Sequence, residues 1–186
     1  MSFRAFISMD VAVHPKIVEF SKELRRRGSM LKVVDPNIIH LTFKFLGETD
    51  EVLIPRIREA MERSVEGVAP MSVRFKGVGA FPSISRIKVV WIGVEGGENM
   101  SLIARRLDDE LSFHGFKREE RPFAPHITLA RMREGGSAGF VRELLDASMN
   151  EEFGVQLMDA LSLKKSVLSP KGPTYSTVEE VRLKGV

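Results

Sequence analysis

Two four-residue strings in this chain carry a pattern that can move protons. His40-Leu41-Thr42-Phe43 and His126-Ile127-Thr128-Leu129 each read His, apolar, Thr, apolar, and they lie 86 positions apart in 186 residues. In a β-strand, residues i and i+2 share a face, so each His and its Thr point one way while the apolar pair points into a core. Two such strands set face to face would place two imidazoles and two hydroxyls around one cleft. Histidine titrates near neutral pH. A neutral imidazole can take a proton from an attacking oxygen, and a charged one can give a proton to a leaving oxygen. The threonine hydroxyls can hydrogen-bond non-bridging phosphate oxygens. The substrate that suits such a set is a strained phosphodiester with an alkoxide leaving group, such as a ribose 2′,3′-cyclic phosphate.

Zinc is the other common use of two histidines. It needs a third ligand, and the chain has no cysteine, no HExxH string and no His-x-His spacing to supply one. No metal and no other cofactor is expected. There is also no GxxxxGK[ST] loop and no KxDG string, so any joining of ends would draw on the phosphodiester itself and not on an ATP-charged enzyme. The remaining histidines, His14 and His114, fall at a helix start and a helix end and read as structural.

The elements that must hold these strings are legible in the hydrophobic pattern. Apolar or alternating runs predict strands over 3–9, 39–46, 71–79, 86–94, 125–131, 153–159, 160–168 and 176–183. Helical spacing predicts helices over 15–27, 52–65 with Asp50 as its cap, 100–113, and 138–147. The order strand, helix, His-x-Thr strand, helix, strand occurs twice, and a glycine turn follows each motif, at Gly47 and at Gly135-Gly136. The expected architecture is therefore a duplicated α+β unit. Gly96-Gly97 is the expected midpoint of the chain, without being a boundary between independent domains.

Bulk composition agrees with a folded chain: 43% hydrophobic and 28% charged residues. Net charge is +3, and the excess sits in residues 1–95, with 15 basic against 11 acidic side chains. A polyanionic substrate fits that balance. The N-terminus starts at once with a strand-like segment, so neither a signal peptide nor a membrane span is expected, and a cytoplasmic monomer is the default expectation.

Weaker candidates surround the motifs. Strict alternation puts Lys44 on the face of His40 and Thr42, within reach of a phosphate. The same alternation puts Arg131 opposite His126, so it could clamp a phosphate only where the strand twists or ends. Phe6, Phe81, Phe123 and Tyr175 are candidates for stacking on a base. Arg25-Arg26-Arg27 and Lys164-Lys165 are candidates for contacts to an RNA backbone. Phe43, Phe45, Ile127 and Leu129 read as core.

The two motifs resemble those of the 2H phosphoesterase superfamily. The chain length, the motif spacing, the F-x-A-F-I-S opening at Phe3 and the string APHITLAR from Ala124 are similar to its bacterial and archaeal RNA 2′,3′-cyclic phosphodiesterases, also called 2′-5′ RNA ligases. This resemblance implies a bilobal fold over 1–186, with two antiparallel sheets, helices outside and the site in a central cleft. It implies hydrolysis of RNA 2′,3′-cyclic phosphate ends, tRNA halves among them, to a 2′-phosphate, with reversible 2′-5′ joining as a related activity. It also implies that His40 is the proton donor and His126 the acceptor, with Thr42 and Thr128 on the phosphate. On the residues alone the two histidines are interchangeable. A noncatalytic RNA-binding module, or an enzyme for a small cyclic nucleotide, stays open.

Overall fold

The alternating runs form strands because their apolar residues, every second one, find helices to bury against. The structure is a computed structural model and describes residues 1–27, 30–133, 139–170 and 172–185. In chain order the elements are β1 (Ser2–Asp10), α1 (Pro15–Arg27), β2 (Leu31–Val33), β3 (His40–Asp50), α2 (Ile54–Val65), β4 (Met71–Ser83), β5 (Arg86–Glu95), α3 (Glu98–Ser112), β6 (His126–Met132), α4 (Gly139–Ala147), β7 (Glu152–Met158), β8 (Ala160–Ser169) and β9 (Gly172–Arg182). Asp50 ends β3 and accepts a hydrogen bond from Val52 N at 3.2 Å, as expected of a cap. Between it and α2 lies a short 3-10 turn over Glu51–Leu53. The Gly135-Gly136 turn lies outside the described residues.

The strands form two antiparallel sheets. The first has the order β3-β1-β8-β9 and the second β2-β6-β5-β4-β7. This is the expected α+β architecture, with one change in how the halves are assembled. β4, which closes the first half, pairs with β5 and β7 in the second sheet. β8 and β9 return from the C-terminus to the first sheet. Gly96-Gly97 is thus only the connection from β5 to α3, and a cut there would divide the second sheet. The very short β2, absent from the predicted strands, pairs with β6 at the edge of that sheet.

Helices α2 and α3 pack on each other, α2 against β9 and α3 against β3, while α1 lies on β2 and β7 with α4 beside it. One cluster of buried side chains runs through both sheets and their helices, including Ile7, Leu41 and Leu163 of the first sheet and Phe75, Ile92 and Leu129 of the second. The motif strands β3 and β6 approach each other. Among the described residues, no helix is long and apolar enough to cross a membrane.

Candidate active site

The two motifs begin their strands in the same way. His40 Nδ1 donates to the Ile38 carbonyl at 2.9 Å, and His126 Nδ1 donates to the Ala124 carbonyl at 2.7 Å. In each case the partner lies two residues before the histidine. A carbonyl only accepts, so both Nδ1 atoms carry a proton and each Nε2 is the nitrogen that can gain or lose one. Neither Nε2 has a hydrogen-bond partner among the described residues, and neither do the hydroxyls of Thr42 and Thr128. Leu41 and Ile127 are fully buried, as the alternation requires.

Beyond the threonines, alternation fails in both strands at the same place. Ser8 pairs with Thr42 and Ile7 with Lys44, so Phe43 is an extra residue in β3. Trp91 pairs with Thr128 and Val90 with Ala130, so Leu129 is an extra residue in β6. Each is a β-bulge, which shifts everything after it to the other face. This corrects three expectations. Lys44 turns away from His40 into the core, where it is 3% exposed. Its Nζ meets Asp108 of α3 at 2.6 Å and the Lys117 carbonyl at 2.7 Å. Arg131 pairs with Val89, on the face of Trp91 and Thr128, so it lies on the side of His126 after all. Phe45, read as core, lies on the face of Phe6 and is 61% exposed.

Around His40 the first sheet brings several groups together. The Phe6 ring lies 4.8 Å from the imidazole and Tyr175 of β9 meets it edge-on at 5.2 Å. Asp10 is its cross-strand partner, and Lys164 donates to Asp10 at 2.7 Å and to Thr177 Oγ1 at 2.8 Å. Burial lowers the His40 pKa. The hydrogen bond to Ile38 and the Asp10 carboxylate oppose that fall, whereas Lys164 and Arg131 add to it. Arg131 belongs to β6, so its charge reaches His40 from the other sheet. It also reaches Tyr175, whose pKa burial raises and Arg131 and Arg4 pull back. The motif strands β3 and β6 are thus near enough for a charge on one to act on the histidine of the other.

His126 sits among aromatics of the second sheet. Phe81 meets its ring edge-on at 5.0 Å, and Trp91 lies behind at 6.4 Å. The indole rests on Gly79 of β4, where an added Cβ would stand 2.2 Å from its ring carbon Cζ2. Only glycine leaves room there. Ser8 Oγ and Trp91 Nε1, each on the residue directly across from a motif threonine, are buried without a hydrogen-bond partner among the described residues. Unspent hydrogen-bonding capacity thus gathers beside both motifs. No group of three or more His, Cys, Asp or Glu side chains among the described residues is placed to hold a metal ion.

The other sequence candidates separate by location. Phe6 and Tyr175 flank His40, and Phe81 flanks His126. Phe123 stacks on the bulge residue Phe43 at 5.1 Å and packs inside. Lys164 reaches the His40 side, whereas Lys165 lies over the Phe3 ring at 5.5 Å. Arg25 donates to the Val34 carbonyl at 3.4 Å and Arg26 pairs with Glu23 at 2.7 Å. His14 holds Gln156 at 3.4 Å, the structural part expected of it. Asp10, Ser8 and Trp91 escaped the sequence reading. Each becomes a neighbour of a motif only through strand register, which spacing alone does not reveal.

Comparison with known proteins agrees with this fold. Residues 13–162 match the 2′-5′ RNA ligase superfamily. The chain is 34% identical to the RNA 2′,3′-cyclic phosphodiesterase of Methanothermobacter thermautotrophicus, over 98% of this chain and 100% of that one. It is 34% identical to the protein of the same name from Thermotoga maritima, over 98% and 96% of the two chains. Among solved structures, TT0787 of Thermus thermophilus superposes with a TM-score of 0.81 at 28% identity, covering 98% of both chains. E. coli LigT complexed with 3′-AMP shares the fold, with a TM-score of 0.76 at 20% identity over 98% of this chain and 99% of that one.

Proposed function

The chain belongs to the 2′-5′ RNA ligase superfamily, and on that footing we propose that it hydrolyses RNA 2′,3′-cyclic phosphate ends to 2′-phosphates by metal-independent catalysis between His40 and His126. The observation that carries the mechanism is the matched anchoring of the two imidazoles. With both Nδ1 atoms tied to backbone carbonyls, each ring presents Nε2 in a fixed orientation.

The reaction divides between the two strands. A water oxygen attacks phosphorus and loses its proton to Nε2 of neutral His126. The bond from phosphorus to the ribose 3′-oxygen breaks, and that oxygen takes a proton from Nε2 of charged His40. The products are a 2′-phosphate and a 3′-hydroxyl. Thr42 and Thr128 donate to the non-bridging oxygens, and Arg131 offsets their charge. With an RNA 5′-hydroxyl in place of water, the same steps form a 2′-5′ linkage without ATP. Both histidines come from one chain, so a monomer suffices.

The environment of His40 sets a pH signature. An acid must be protonated to act, and burial lowers its pKa in the free enzyme. kcat/KM, which reports free-enzyme ionisations, is expected to fall as pH rises through a value below the ordinary 6.5 of histidine. Bound phosphate is an anion and favours the imidazolium, so the corresponding fall in kcat is expected at higher pH. Stopped-time assays across pH ~4–9 at saturating and trace substrate check this; coincident limbs would count against His40 as the acid.

The reading as a whole is tested with an RNA oligonucleotide ending in a 2′,3′-cyclic phosphate, incubated with chelator and without ATP. The expected product is the 2′-phosphomonoester. Turnover abolished by the chelator, or a 3′-phosphate product, would overturn it.

A further inference from the structure

The bulges place two different side chains at matching positions beyond the motifs. In β6 the position belongs to Arg131, and in β3 to Phe45. Arg131 has an evident use beside a phosphate. Phe45 is a large aromatic ring, 61% exposed, in the interior of a strand and on the catalytic face. Its ring centroid lies 6.2 Å from that of Phe6, and Phe6 lies 4.8 Å from His40. A row of rings therefore leads from the imidazole along the sheet to an open end.

That end is the floor of a groove of about 440 Å³, lined by Phe45, Leu46, Phe116 and the segment Lys117-Arg118-Glu119-Glu120-Arg121. The wall is held in place from beneath. Lys44 binds the Lys117 carbonyl at 2.7 Å, and Asp108 accepts from Glu119 N at 3.0 Å. Lys117 and Arg118 are paired with Glu120 and Asp109. Arg121 forms no ion pair among the described residues and is the wall's free cation.

We propose that this groove is a second nucleotide subsite: the base next to the cyclic-phosphate nucleotide stacks on Phe45, and the phosphate joining the two nucleotides meets Arg121. The inference rests on the RNA-end reading above and adds a preference for substrates longer than one nucleotide. The order of the rings supports it. The centroid of Phe6 lies 4.8 Å from that of His40 and 6.2 Å from that of Phe45, so Phe45 stands one ring beyond the ring that flanks the imidazole. An exposed aromatic floor with one free cation on its wall matches the stacking and backbone contacts by which proteins hold single-stranded nucleic acid without reading its sequence. The bulge at Phe43 is what links the parts: it sends Lys44 down to fix the wall and Phe45 up to make the floor.

The test compares 2′,3′-cyclic AMP with a dinucleotide and a trinucleotide bearing the same cyclic end, for the wild-type protein and for Phe45→Ala and Phe45→Trp. The subsite predicts that Phe45→Ala raises KM for the oligonucleotides about tenfold, moves KM for cyclic AMP by less than twofold, and that Phe45→Trp restores oligonucleotide binding. It also predicts that a trinucleotide with an abasic residue next to the cyclic end binds the wild type as weakly as the intact one binds Phe45→Ala. Equal effects of Phe45→Ala on all substrates, or none on any, would overturn the subsite while leaving the phosphodiesterase reading standing. Failure of the wild type to turn over any cyclic end would instead strike at that reading.

Discussion

Replacing His126 with alanine is expected to lower kcat on a cyclic-phosphate-ended RNA by about three orders of magnitude, and replacing His40 to do the same. Each variant removes one proton transfer from a step that needs two. KM is expected to change little, because the proposed phosphate contacts of Thr42, Thr128 and Arg131 are left in place. The double variant is expected to lose far less than the product of the two single losses, since acid and base act in one transition state. Both histidines are only partly buried and donate only through Nδ1 to a nearby carbonyl, so neither variant should fold poorly. Single-turnover kinetics with matched thermal melts separates the loss of chemistry from a loss of structure. A variant that kept a tenth of wild-type kcat would remove that histidine from the mechanism.

The largest effect on stability is expected at Asp108. Its carboxylate neutralises Lys44, whose side chain is 2% exposed, and also caps Glu119 N. Asp108→Ala leaves an ammonium buried against a carbonyl, with Glu119 at 3.6 Å as its remaining acid. Breaking a buried pair from one side costs about 3 kcal/mol or more, which for a chain of this length lowers Tm by about 10 °C. Removing both charges with Lys44→Met and Asp108→Leu should recover most of that loss, because the cost lies in the stranded charge and not in the missing attraction. Thermal denaturation of the single and double variants checks the ordering. If the double variant melted no higher than Asp108→Ala, the buried charge would not be the cause.

How far the sequence carried this account depends on what each feature leaves in the residue pattern. The motif strands, the helices α1 to α3 and the cap at Asp50 follow from period and capping, and they lie within a few residues of their predicted bounds. β2 escaped because three residues hold too little pattern. The assembly of the sheets escaped because pairing β4 with β5, and β8 with β1, depends on partners and not on local composition. The bulges at Phe43 and Leu129 escaped for a similar reason. A bulge is one extra residue relative to a partner strand, and without the partner the period of two continues on paper. That single omission put Lys44 in the cleft, Phe45 in the core and Arg131 on the wrong face. His40, Thr42, His126 and Thr128 precede the bulges, so alternation keeps each His and its Thr on one face of their strand.

The division of labour between the two imidazoles is tested most directly by changing the leaving group. In an RNA whose cyclic phosphate carries sulfur in place of the 3′-oxygen, the departing thiolate needs no proton, since a thiol ionises near pH ~8.5 and an alcohol far above it. The account predicts that this substrate restores most of the lost turnover to His40→Ala and none to His126→Ala. Restoration of His126→Ala alone would reverse the roles, and equal response of the two variants would contradict the two-histidine mechanism itself.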